Sequence, residues 1–156
     1  MPEIEYVTLA AHAEAVNGLL YLQGAGLTDI GQPTDNNGQP GVVHIGIGVS
    51  ILIGWNETGR AYPITVSVLN EDGSPLINAA GQVEAGRPQG VPDGSVVRTV
   101  LAISAEVQFP QGGGYEVRAE LAGAVKTVAF RVHRQPPATP PPAQAGPATW
   151  PTPKGS

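Results

Sequence analysis

Apolar and polar residues alternate with a period of two along most of the first 134 positions. The alternation is clearest in VVRTVLAISAEVQF, where Val97, Thr99, Leu101, Ile103, Ala105, Val107 and Phe109 fall on one side and Arg98, Ser104, Glu106 and Gln108 on the other. In GVVHIGIGVSILI the same arithmetic groups Val43, Ile45, Ile47, Val49, Ile51 and Ile53, and leaves His44, Gly46, Gly48, Ser50 and Leu52 opposite. The branched set faces a core. The opposite set is small rather than charged, so something covers it closely: a neighbouring element or another subunit. Two readings follow, self-association of the chain through His44, Gly46, Gly48, Ser50 and Leu52, or coverage of that face by the N-terminal segment EIEYVTLAAHAEA.

Further strands are expected at IEYVTLA, LLYLQGA, PITVSVLN, AAGQVEA, YEVRAELA and VKTVAFRV, making eight in all. The separators are turn signals: Asn17-Gly18 suits positive φ at both turn centres, Asp72-Gly73 stands ahead of Pro75, and Gly123 joins the last two strands as a hairpin. The best helical stretch, LAAHAEAVNG, has room for one or two turns. Short strands, tight turns and no helix to cover a sheet predict an all-β domain over residues 3–134, an antiparallel, immunoglobulin-like β-sandwich of about eight strands. Residues 135–156, QPPATPPPAQAGPATWPTPKGS, hold half of the prolines and almost no aliphatic side chain. Such a segment builds no core and is expected to be a disordered Pro-rich tail of polyproline II character.

Composition narrows the function classes. Charged residues make up 13% of the 156, beside 21 glycines and 16 prolines, a balance that favours strands and turns. The net charge is -5 and the eight Lys and Arg residues are scattered, so no basic surface is expected to neutralise a phosphate backbone, and nucleic acid is not an expected partner. There is no cysteine, hence no disulfide and no thiolate metal site. The N-terminus carries Glu3 and Glu5 where a signal peptide would be basic, and the longest apolar run, about 15 residues, falls short of the ~20 a membrane helix needs. The expectation is a cytoplasmic protein that does not engage a membrane.

Candidate chemistry is sparse. The triple glycine of PQGGGYEVRAEL precedes a strand rather than a helix, and no Lys-Ser or Lys-Thr directly follows the glycines, so it does not suit a phosphate cradle. It suits a corner that delivers Tyr115 to the start of a strand, in the manner of the tyrosine corner, with the hydroxyl held against nearby backbone. His12, His44 and His133 share no metal-binding spacing, Ser50 lies inside an apolar strand rather than on a nucleophile elbow, and Glu71 and Asp72 sit in a turn. No catalytic residue, metal or cofactor is expected. The WNETGR segment is the most distinctive surface stretch. Trp55, Asn56, Glu57 and Arg60 there either contact a small ligand or glycan, or Trp55 caps one end of the domain while Arg60 pairs with Glu57.

The stretches HAEAVNGLLYLQGAG, WNETGR, AGRPQGVPDGSVVRTVLAI, GGYEVRAEL and AFRV resemble the recurring segments of a family of short, uncharacterised bacterial proteins with a β-rich domain. The resemblance spans roughly residues 3 to 133 and implies a stand-alone β-sandwich domain; it brings no active-site residues. The function expected is therefore non-catalytic, a protein-interaction or structural module partnered by another protein or by its own copies, with ligand binding at Trp55 to Arg60 as the alternative.

Overall fold

The computed structural model describes residues 1–137 and Gly155, and in it the chain forms ten strands. They are β1 (Glu3–Ala10), β2 (His12–Val16), β3 (Leu19–Gln23), β4 (Asp29–Pro33), β5 (Val43–Ile53), β6 (Ala61–Asn70), β7 (Pro75–Glu84), β8 (Val97–Val107), β9 (Gly113–Leu121) and β10 (Ala124–Gln135). A three-stranded sheet runs β1-β5-β8, a five-stranded sheet runs β4-β10-β9-β6-β7, and β2 and β3 make a separate hairpin. The branched side of β5 meets the inward side chains of β6, β9 and β10 in one buried cluster that includes Ile47, Val49, Ile51, Val66, Val68, Val117 and Phe130. Removing each of these large side chains from water contributes on the order of 1.5–3 kcal/mol, which is why the strict alternation of β5 fixes its register.

The cluster is closed at one end by aromatic rings. Phe109 stands edge-on to Tyr115 at 4.8 Å and to Phe130 at 5.9 Å, while Tyr115 and Phe130 stack at 5.8 Å. Such geometry adds about 0.5–1.5 kcal/mol per pair beyond area burial. At the same end Gln32, fully buried, donates its amide Nε2 to the Gly41 carbonyl at 2.8 Å.

Several sequence expectations are met and others are corrected. Asn17 and Gly18 take φ of 51° and 74°, and the hairpin they make pairs β2 with β3. β9 and β10 pair antiparallel through a turn in which Ala122 shares the left-handed region with Gly123. The strand count is ten rather than eight. LAAHAEAVNG contains no helix: its alanine-rich half is β2, because the Asn17-Gly18 turn folds it onto β3 and tertiary packing overrides propensity. The second added strand, β4, is short and holds a glycine and a proline, and it gains its order from pairing with β10. That pair is parallel, so the architecture is not purely antiparallel. Gln135, placed by composition in the tail, ends β10 and accepts hydrogen bonds from the Thr34 amide at 3.2 Å and hydroxyl at 2.6 Å. The expected disordered tail otherwise lies outside the described residues, from residue 138 onward apart from Gly155.

Candidate functional site

The loop after β5 begins as a 3-10 turn over Trp55–Glu57. Glu57 folds back, so that its Oε2 accepts the Gly54 amide at 2.9 Å while its other oxygen pairs with the N-terminal ammonium of Met1. Tyr62 donates its hydroxyl to the Glu57 carbonyl at 3.0 Å, and Thr58 donates to the Trp55 carbonyl at 2.7 Å. The Trp55 ring is roofed by a residue the sequence did not single out: Arg87 lies 4.6 Å from the ring centre and donates to the Thr58 hydroxyl at 2.9 Å and the Trp55 carbonyl at 3.3 Å. Nothing in the spacing of AGRPQG signals this contact, which joins positions 32 apart.

Trp55, Asn56 and Glu57 border one side of a cleft of about 450 Å³ together with Leu52, Gly94 and Val96. Arg60 is exposed and does not line it, and the expected Arg60–Glu57 pair is replaced by the partners just named. Of the four residues proposed for ligand contact, three are therefore brought together and one is not.

The glycine face of β5 is covered from within the chain. A Cβ added at Gly46 would stand 2.6 Å from the His12 carbonyl carbon and closer still to the Ala13 amide, and one at Gly48 would meet the ends of Leu20 and Leu22 at under 3 Å. The covering element is the β2–β3 hairpin, pinned by Ser104, whose hydroxyl donates to the Ala13 carbonyl at 2.9 Å, and by stacking of His12 on His44 at 5.8 Å. Ser50 is fully buried and donates to Glu5 at 2.6 Å. Of the expected N-terminal segment, His12 and Ala13 cover Gly46 and Glu5 meets Ser50, whereas Gly48 is covered by Leu20 and Leu22 of β3, beyond that segment; the cover comes from within the chain rather than from a second copy at these three positions. Leu52 lies beyond the hairpin and lines the Trp55 cleft.

Glu5 is the centre of a small polar cluster. The register shift between Ile4 and Tyr6 sets it out of the ladder as a bulge, toward Arg98, which donates to it through Nε at 2.8 Å and a terminal nitrogen at 2.7 Å. The hydrogen bonds from Arg98, and then from Ser50, hold the Glu5 carboxyl below the usual carboxylate range, and the same contact raises Arg98. Arg98 and Glu5 are 93 positions apart, so the pair carries no local sequence signal.

The triple glycine is a corner. Gly113 has φ of 135°, which a side chain would oppose, and the Gly114 amide donates to Glu71 Oε1 at 3.0 Å. Tyr115 is buried and donates its hydroxyl to the Gln111 carbonyl at 2.6 Å. Beside this corner, the outer face of the five-stranded sheet forms a groove of about 740 Å³ bordered by acids and arginines. Most are engaged elsewhere: Asp29 with His133 at 2.6 Å, Arg118 with Glu120 at 2.8 Å, and Glu71 with the corner. The His133 contact, followed by Thr28, holds the Asp29 carboxyl below its ordinary value. Asp72 accepts the Ser74 amide at 2.8 Å and serves its turn. His12, His44 and His133 form no metal-holding group with Asp or Glu among the described residues.

Among the described residues no helix is long and apolar enough to cross a membrane, a statement that leaves strands aside. No curated protein matches the chain. Residues 5–133, nearly the whole described domain, match the family described as Family of unknown function (DUF6941), and the chain belongs to that family.

Proposed function

We propose that the chain is a non-catalytic, immunoglobulin-like β-sandwich that works in the bacterial cytosol as a protein-interaction or structural module. The observation that carries this reading is the pair of long edge strands. β7 and β8 are ten and eleven residues long and lie at the ends of their sheets, and neither carries a lysine or a proline past its first residue. Edges of natural sheets are usually blunted by such residues; β7 is uncharged up to Glu84 and β8 carries only Arg98 and Glu106, and so lightly guarded an edge offers main-chain donors and acceptors to an added strand. Hydrogen exchange tests the reading. Amides of β7 or β8 should exchange more slowly in protein recovered from cell lysate than in dilute purified protein, and equal exchange at both edges would overturn it.

A second reading, a small-ligand or glycan site at Trp55, Asn56 and Glu57, is favoured by the cleft of about 450 Å³ beside them, a size that suits small ligands. It ranks below the first because Arg87 occupies one face of the Trp55 ring and Glu57 already has two partners. Trp55 fluorescence, read in a W150F background against a panel of sugars and small metabolites, separates the two. A saturable change supports the ligand site, and a flat response across the panel removes it.

A further inference from the structure

Strand β8 is its own complement. Its midpoint is Ala102, and of the residues equidistant from that midpoint Leu101 and Ile103, and Val97 and Val107, are apolar on both sides, Arg98 and Glu106 carry opposite charges, and Val100 with Ser104 and Thr99 with Ala105 are small enough to oppose one another. In an antiparallel pair, directly opposed residues share a face and their Cβ atoms stand about 4.5–5.5 Å apart. Two copies laid antiparallel about a dyad at Ala102 therefore set apolar against apolar on the core side. On the outer side they set each Arg98 against Glu106 of the other copy.

We propose that the chain forms a symmetric homodimer through β8, joining two three-stranded sheets into one six-stranded sheet. The proposal rests on reading the protein as an interaction module and names its partner as a second copy of the same chain. β8 pairs with β5 alone among the described residues, so its other edge is open. Val97, Leu101, Ile103 and Ala105 pack on the core yet stay only half-buried, and an added strand would complete their burial. Glu106 is exposed and has no ion pair among the described residues. Arg98 spends Nε and one terminal nitrogen on Glu5, which leaves the other terminal nitrogen for a second carboxylate.

Charges on an edge normally discourage pairing with another edge. Here they have opposite signs at equal distances from the centre, so they favour one register. Sliding the strands by two residues places Arg98 opposite Ser104 or Gln108 and loses both ion pairs, and a slip of one residue turns the half-buried apolar row to the wrong face. Strand β7 has a fainter symmetry about Ala80, with Ile77 against Val83 and Asn78 against Gln82, but no charged pair to specify it.

Light scattering on the full chain at about 100 μM should give twice the 16.0 kDa of one chain. Glu106→Lys and Arg98→Glu should each give monomers, because like charges then meet across the dyad twice, and mixing the two variants should restore the dimer by pairing each altered residue with its opposite. Ala80→Lys on β7 should leave the dimer intact. Position-specific cross-linking serves as an independent test, since the chain has no cysteine of its own. Ala102→Cys lies on the dyad and should form a disulfide-linked dimer under mild oxidation. Glu106→Cys should not, because that position and its copy are about 27 Å apart along the paired strands. A monomeric wild type at this concentration, an E106K variant that keeps the dimer mass, or equal cross-linking at both cysteine positions would overturn the proposal. Edge protection in lysate would still report separately on the module reading.

Discussion

Replacing Gly46 by alanine is expected to pry the β2–β3 hairpin from the sheet it covers. The added methyl would sit 2.6 Å from the His12 carbonyl carbon and 2.9 Å from the Ala13 Cβ, where ordinary carbon contacts lie near 3.5–4.0 Å. These are mostly backbone atoms, so the whole of β2 must retreat by about 1 Å, stretching the Ser104–Ala13 hydrogen bond and the His12–His44 stack. Overpacking of this kind costs about 1–3 kcal/mol, offset in part by the roughly 0.4–1 kcal/mol that alanine gains over glycine through the unfolded chain. A net loss of about 1–2 kcal/mol is therefore expected. Gly48→Ala should cost less, under about 1 kcal/mol, because it meets only the ends of Leu20 and Leu22, which can swing aside. Gly81→Ala, with nothing within 4 Å of the new carbon, should stabilise by about 0.4–1 kcal/mol. Urea denaturation gives the order of the three midpoints, and hydrogen exchange of β2 and β3 shows whether the hairpin loosens first. A G46A variant as stable as G81A would refute the packing of β2 on β5.

Three further outcomes follow from the same contacts. Tyr115→Phe removes the donor to the Gln111 carbonyl while keeping the ring stack, and should cost about 0.5–1.5 kcal/mol in chemical denaturation; an unchanged midpoint would show that the corner does not depend on the hydroxyl. Glu5 has a folded-state pKa below its unfolded value, so its contribution is present above the unfolded value and is lost as pH falls through the folded one. Wild type should accordingly lose more stability than Glu5→Gln between about pH 7 and pH 3, whereas parallel profiles would uncouple Glu5 from folding. Arg87→Ala should strip the roof from Trp55, shifting its emission to longer wavelength in a W150F background at a cost below about 1 kcal/mol, and an unshifted spectrum would contradict the contact.

What could be read in the sequence was whatever depends on neighbours along the chain. The alternation of β5 and β8, the Asn17-Gly18 turn and the β9–β10 hairpin are local patterns, and all four appear as the residues dictate. The small residues opposite the core on β5 signalled a close cover but not its identity, because His12 and Ala13 sit in an alanine-rich stretch that suits a helix as well as a strand. β4 was unreadable for a different reason: five residues with a glycine and a proline have little strand preference of their own, and their order comes from β10. The candidate site was half visible. Trp55 and Glu57 stood out by type, while Arg87 and the Glu5–Arg98 pair are brought in by tertiary closure over long separations.

The parallel pairing of β4 with β10 imposes an order on the birth of the protein. Thr34 is among the earlier residues to leave a ribosome, yet the Gln135 carbonyl it binds arrives 101 positions later. Until then β4 has no strand to lie against, and the Glu5 carbonyl awaits Lys126, which donates to it at 2.8 Å. Residues 12–23 can close their hairpin almost as soon as they appear, whereas the larger sheet can be completed only when its last strand is free. A chain stopped before Ala124 would thus carry an intact hairpin, an exposed β9 edge and an unpaired β4, a combination suited to recognition by chaperones or to aggregation rather than to partial activity.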